Sequence, residues 1–200
     1  VPVALKARRI YAIIKTIEEH EKMVKNQRRS SGMEEHERFM RLALVEGEKA
    51  LQAGEFPAGC IVVCENEIVA KGRWRNSSEL FNETDHAEVG AVQSLVNEHP
   101  ALPREKLVLY STMEPCLMCY ATLLLNGIHH IVYGYEDIMG GGTDLPLEML
   151  KPLYQKIKVR IVPGVLRNEC LSLFKQFFVN PGNIYWRESQ LADYTLAQTM

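Results

Sequence analysis

A chain of 200 residues, 46% hydrophobic and 24% charged, is long enough to bury one core and too apolar for wholesale disorder. No apolar run approaches the ~20 residues that span a bilayer, and the first residues lack the continuous apolar stretch of a secretory signal; the expectation is a cytoplasmic protein with no membrane partner. The formal net charge of −2 hides an asymmetry: residues 1–32 hold eight Lys/Arg and three Glu, whereas residues 33–200 are net −7, an acidic balance that weighs against a polyanionic partner.

In chain order, Ile10, Ile13, Ile14, Ile17 and Val24 recur at close to helical spacing. They predict a helical extension over residues 1–32, closed by the linker Arg28-Arg29-Ser30-Ser31-Gly32. A helix is expected over Glu34 to Ala53, with Phe39, Leu42, Ala43, Val45, Ala50 and Leu51 buried and Gly54 as its stop. Ala58 to Cys64 and Ile68 to Trp74 read as a hairpin around Glu65-Asn66-Glu67. A polar loop then leads to a helix from about Asp85 to Asn97. Leu107 to Ser111 is a strand, and Pro115 opens a helix that runs to about Asn126. Ile131 to Tyr135 is the next strand, and Gly140-Gly141-Gly142 marks a loop. A short helix near 147–154, a strand over 158–162 and a helix over 166–178 follow. The tail over residues 181–200 keeps Tyr185, Trp186, Leu191, Tyr194 and Leu196, enough apolar surface to dock on the body or on a partner subunit. Strands alternating with helices argue for an α/β layer fold in a single domain over residues 33–180.

Five cysteines are an odd number, and two of them form Pro115-Cys116-Leu117-Met118-Cys119. In a reducing compartment a CxxC reads as a metal or redox pair rather than a disulfide. Upstream stands Asp85-His86-Ala87-Glu88. One imidazole and two thiols make three zinc ligands with a fourth position open, the pattern of catalytic rather than structural zinc. Cys116 and Cys119, three apart, share one face of a first helical turn. Glu88 could carry protons between a metal-activated water and a substrate. The competing reading makes Asp85-x-x-Glu88 a capping box, with Glu88 bonding only backbone N–H groups.

The combination His-x-Glu followed by Pro-Cys-x-x-Cys resembles the zinc nucleobase deaminases of the cytidine deaminase-like superfamily. The resemblance runs from about Glu34 to Phe178 and is nearest to the branch of tRNA adenosine deaminases, guanine deaminases and cytosine deaminases. It implies a three-layer α/β/α fold with a five-stranded mixed sheet between helices. It implies one zinc per chain on His86, Cys116 and Cys119. It implies hydroxide attack on the amino-bearing ring carbon, with Glu88 moving the protons and ammonia leaving. It also implies substrate contacts from Asn76, Phe56 and Asp137, and association as a homodimer.

The acidic body and the aromatic tail favour a small nucleobase, nucleoside or related amino-heterocycle as substrate. A tRNA-specific adenosine deaminase is the alternative. A non-catalytic structural zinc protein is a third reading, and it needs a fourth protein ligand such as Cys170.

Overall fold

The computed structural model describes residues 32–77 and 82–199. The extension expected over residues 1–32 lies outside them except for Gly32. Contacts divide the chain after His36, and the unit from Glu37 onward carries the whole sheet.

Helix α1 (residues 32–52) leads into β1 (Gly59–Cys64) and β2 (Glu67–Arg73). Between these strands, Glu65 and Asn66 both adopt positive φ, 48° and 73°. A two-residue loop with both positions left-handed matches the twist of an antiparallel pair, so it closes the hairpin tightly. The remaining elements are α2 (Ala87–Glu98), β3 (Leu107–Met113), α3 (Leu117–Leu125), β4 (His130–Tyr135), the single turn α4 (Pro152–Gln155), β5 (Arg160–Val162), α5 (Arg167–Val179) and α6 (Gln190–Ala197).

The strands form one five-stranded sheet in the order β2-β1-β3-β4-β5. β1 runs antiparallel to β2 and β3, while β3, β4 and β5 are parallel. The sheet is therefore mixed, as expected. β1 reads Gly-Cys-Ile-Val-Val-Cys and is buried at all six positions, as an inner strand with both faces covered must be. Cys60, Cys64 and Cys170 are core residues.

Successive residues of a strand face opposite sides, and β1 shows what each side meets. Gly59 looks at α1, where a Cβ would sit 2.1 Å from the Gly47 backbone nitrogen. The neighbouring pair Cys60–Gly72 looks at α2. A Cβ on Gly72 would lie 1.9 Å from the Ala87 carbonyl oxygen, so only glycine lets the first turn of α2 rest directly on β2. That contact fixes where His86 and Glu88 stand.

The buried face of α1 differs from the expected one. Phe39, Met40, Ala43, Leu44 and Ala50 are buried together with Glu46, whereas Leu42 and Val45 are 40% and 41% exposed. The helix turns Gly47 to the sheet, and the buried Glu46 carboxylate is met by Lys49 at 2.8 Å and Arg73 at 3.5 Å. On α2, Val92 and Leu95 are buried as expected but Val96 is exposed. The tail folds back: α6 packs on α5, and Tyr185, Leu191 and Ala192 join the core. No helix among the described residues is long and apolar enough to cross a membrane.

Candidate active site

Two helix starts, each reached from a strand, meet at one point. His86 is the N-cap of α2 and Cys116 the N-cap of α3, both in extended backbone and neither making a side-chain cap hydrogen bond. The capping box suggested by Asp85-x-x-Glu88 is therefore not formed. The cap position frees both side chains to point inward. His86 Nδ1 lies 3.5 Å from Cys116 Sγ and 3.4 Å from Cys119 Sγ, and the three potential ligand atoms all lie within 4.8 Å of one another.

These separations suit a tetrahedral ion. With Zn–N near 2.0–2.1 Å and Zn–S near 2.3 Å, tetrahedral angles place nitrogen and sulfur about 3.6 Å apart. His, Cys and Cys are also the donor types zinc takes. Among the described residues the cluster has three members. Cys170 is not one of them: it lies on α5, against Gly134 of β4. Among the described residues, then, no closed four-ligand site is assembled.

Glu88 sits beside this cluster, 4% exposed. Its Oε1 accepts from the Ser111 hydroxyl at 2.8 Å, and Cys119 Sγ is 3.3 Å from Oε2. Burial pushes the carboxyl up from its ordinary range and Cys116 adds to this, while Ser111 opposes. The Cys119 thiol and His86 hold Cys116 down, at about 4; Cys116 and burial push Cys119 up.

A cavity of about 220 Å³ opens in front of His86, Glu88 and Cys116. That is smaller than a drug-sized pocket and suits one flat heterocycle. One wall is aromatic: Phe56, Trp74, Tyr185 and Trp186. Phe56 is the hub beneath it, with ring centroids at 5.2 Å from Trp74, 5.3 Å from Phe174 and 5.4 Å from Tyr185. It is thus both core residue and cavity wall. Asp137, Met139 and Gly140 also line the cavity. Asp137 Oδ1 accepts from the Met139 and Gly140 backbone N–H groups at 3.0 and 2.9 Å. Asn76 is not among the cavity-lining residues; with φ 59° it turns its amide to the Asp85 carboxylate.

Several residues that shape the site carry no motif. Trp74 lies against His86 with centroids 3.6 Å apart. Glu83 reaches both His86 Nε2 and the Tyr185 hydroxyl. Glu114 braces the loop of Asp137: Oε1 accepts from Thr143 Oγ1 at 2.5 Å, and Oε2 from the Asp137 N–H at 3.2 Å. The sequence signals were thin: Glu83 precedes the ligand His by three positions, Glu114 precedes Pro115-Cys116, and Tyr185 is an aromatic in the tail.

A mixed five-stranded α/β fold with a three-ligand His/Cys/Cys cluster beside a buried glutamate defines a zinc-binding deaminase, a hydrolytic enzyme. Residues 33–135 match the family profile for the cytidine and deoxycytidylate deaminase zinc-binding region, and the chain belongs to that family. A curated relative, the tRNA-specific adenosine deaminase of Streptococcus pyogenes serotype M18, is 35% identical over 148 residues, covering 73% of this chain and 91% of the relative. A solved structure of a tRNA:A34 deaminase, from a study of A-to-I editing at the wobble position of transfer RNA, is 28% identical, with TM-score 0.58 over 68% of this chain and 98% of that chain. NE0047 in complex with 2,6-diaminopurine, 18% identical with TM-score 0.58 over 75% of this chain and 85% of that one, shares the fold.

Proposed function

We propose that this deaminase converts adenosine in tRNA to inosine, with His86, Cys116 and Cys119 holding zinc and Glu88 moving the protons. The carrying observation is the 35% identity to a tRNA-specific adenosine deaminase across 91% of that relative. The comparisons thus support tRNA adenosine better than the free base favoured from charge and tail.

His86, Cys116 and Cys119 would hold the zinc, which would supply a Lewis acid able to make water nucleophilic near neutral pH. Glu88 takes one proton from the attacking water and gives it to the ring nitrogen, then takes the proton of the new hydroxyl on the ring carbon and gives it to the departing amine. Water and adenosine give inosine and ammonia. Ser111 holds Glu88 Oε1 in place, which leaves Oε2 for proton transfer. Phe56, Trp74 and Tyr185 pack on the flat ring and exclude bulk water. The cavity admits one base, so a polynucleotide must present its adenine flipped out of the strand. Asp137 Oδ2 is available to a substrate N–H. Asn76 acts at one remove, by anchoring Asp85 ahead of α2.

A second reading, deamination of a free amino-heterocycle, is favoured by the acidic balance of residues 33–200 and by the tail residues Tyr185 and Trp186 on the cavity wall. Zinc-loaded protein incubated with a tRNA bearing adenosine at the wobble position, and separately with free bases and nucleosides, separates the two. Inosine in the tRNA with no ammonia from the small compounds is the expected result. Ammonia from a free base, with unedited tRNA, would overturn the tRNA reading.

A further inference from the structure

We propose that Glu83 is a positioning residue for the metal ligand His86, and that through Tyr185 it makes metal retention depend on the C-terminal segment. The inference rests on the ligand set proposed above and is independent of the substrate.

His86 Nδ1 faces both thiols, so Nε2 is the outer nitrogen. A neutral imidazole that ligates through Nδ1 carries its proton on Nε2. Ligating histidines characteristically give that proton to a carboxylate or carbonyl, which sets the tautomer and the ring angle. Glu83 Oε2 is 3.4 Å from Nε2. The same carboxylate is held from the far end of the chain: the Tyr185 hydroxyl lies 3.1 Å from Oε1 and 3.0 Å from Oε2, across 102 positions of sequence.

Tyr185 is only 5% exposed, and its ring meets Trp74 at 5.4 Å. Trp74 in turn lies on the His86 ring. The imidazole is thus held on its face by Trp74 and at its outer nitrogen by Glu83, and both supports touch Tyr185. The plainer reading makes Glu83 a half-exposed loop residue of no consequence to the metal. That reading leaves metal binding untouched when the carboxylate is removed.

The test strips zinc from the full chain with a competing chelator and records the visible spectrum of the cobalt-substituted protein. Glu83→Ala should release zinc at about 10- to 100-fold lower chelator strength, the range seen when such outer partners are lost, and should shift the cobalt bands. Glu83→Gln should recover much of the loss, because its amide oxygen still accepts from Nε2–H. Tyr185→Phe, which keeps the ring and removes the hydroxyl, should weaken retention about 2- to 5-fold, the effect of one hydrogen bond felt at one remove from the ligand. Zinc retention within twofold of the parent in Glu83→Ala, with unshifted cobalt bands, would overturn the proposal. Equal losses in the Ala and Gln variants would overturn it too, by pointing to charge alone. His86→Ala is the control for the ligand set: if it still holds one zinc per chain, that assignment has failed rather than the Glu83 link.

Discussion

The Ser111 hydroxyl donates to Glu88 Oε1 at 2.8 Å, and both side chains are buried. Ser111 lies in β3, which pairs with both β1 and β4, so the glutamate on α2 is oriented by the rigid centre of the sheet.

Glu88→Gln should therefore keep its zinc and lose about 10²- to 10⁴-fold in kcat, the span typical of a positioned acid–base group. Ser111→Ala should cost about tenfold, since one carboxylate oxygen loses its donor. Ammonia release under saturating substrate, with metal content measured alongside, checks both. Equal activity of Glu88→Gln and the parent would remove Glu88 from the reaction.

Each of His86→Ala, Cys116→Ala and Cys119→Ala should fall from one bound zinc per chain to nearly none, because two remaining donors cannot define a tetrahedral site. Chelator treatment of the parent should abolish deamination, and added zinc should restore it. Thermal melting with and without metal should show a higher Tm for the loaded chain, since only the folded state assembles the ligands. Elemental analysis and calorimetry read these outcomes.

Gly72→Ala tests how α2 is seated. The added methyl has nowhere to go, with the Ala87 carbonyl oxygen at 1.9 Å, so the helix start must lift off the sheet. The expected cost is about 1–3 kcal/mol or more, with zinc affinity falling in parallel as His86 moves. Urea unfolding and metal titration of the same variant check the two effects together.

The tail is fastened by a charged knot. Glu136 accepts from Arg167 Nε at 2.8 Å and from the Tyr194 hydroxyl at 2.7 Å, and Arg167 also caps Gln198 at 3.2 Å. Burial raises the Glu136 carboxyl, but the bonds from Arg167 and Tyr194 outweigh it, and the group ends below its ordinary range. A depressed carboxyl stabilises the fold above its unfolded pKa, about 4.3. That stability is lost as pH falls through the lower folded value. Glu136→Gln should thus be less stable at pH 7 by about 1 kcal/mol, discounted for partial exposure. Its deficit against the parent should shrink below pH ~4. Thermal melts of both proteins across that range measure the difference; a deficit independent of pH would exclude the ionic contribution.

The metal cluster was legible because few side chains can hold zinc and their spacing at a helix start is restrictive. His86, Cys116 and Cys119 needed no packing information. The face of α1 was not legible. Counting apolar residues favoured Leu42 and Val45, whereas the helix docks through Gly47, where any Cβ would strike Pro57 at 2.9 Å, and buries the paired Glu46. Asn76, expected at the substrate, has a left-handed backbone and bonds the Asp85 carboxylate, a pairing that local pattern does not show. The wall formed by Trp74 and Tyr185 depends on contacts across more than a hundred residues, beyond the reach of local pattern.

The Glu114 brace ties the turn that feeds Cys116 to the segment carrying Asp137. Its carboxylate serves the Asp137 amide and both polar groups of Thr143, and the Gly142 N–H donates to the Pro115 carbonyl at 3.0 Å. Transplanting residues 137–143 from a relative, without bringing a matching acceptor at 114, would deliver that graft with its anchor points unclaimed. Redesign of this cavity wall should therefore exchange the two segments as one cassette.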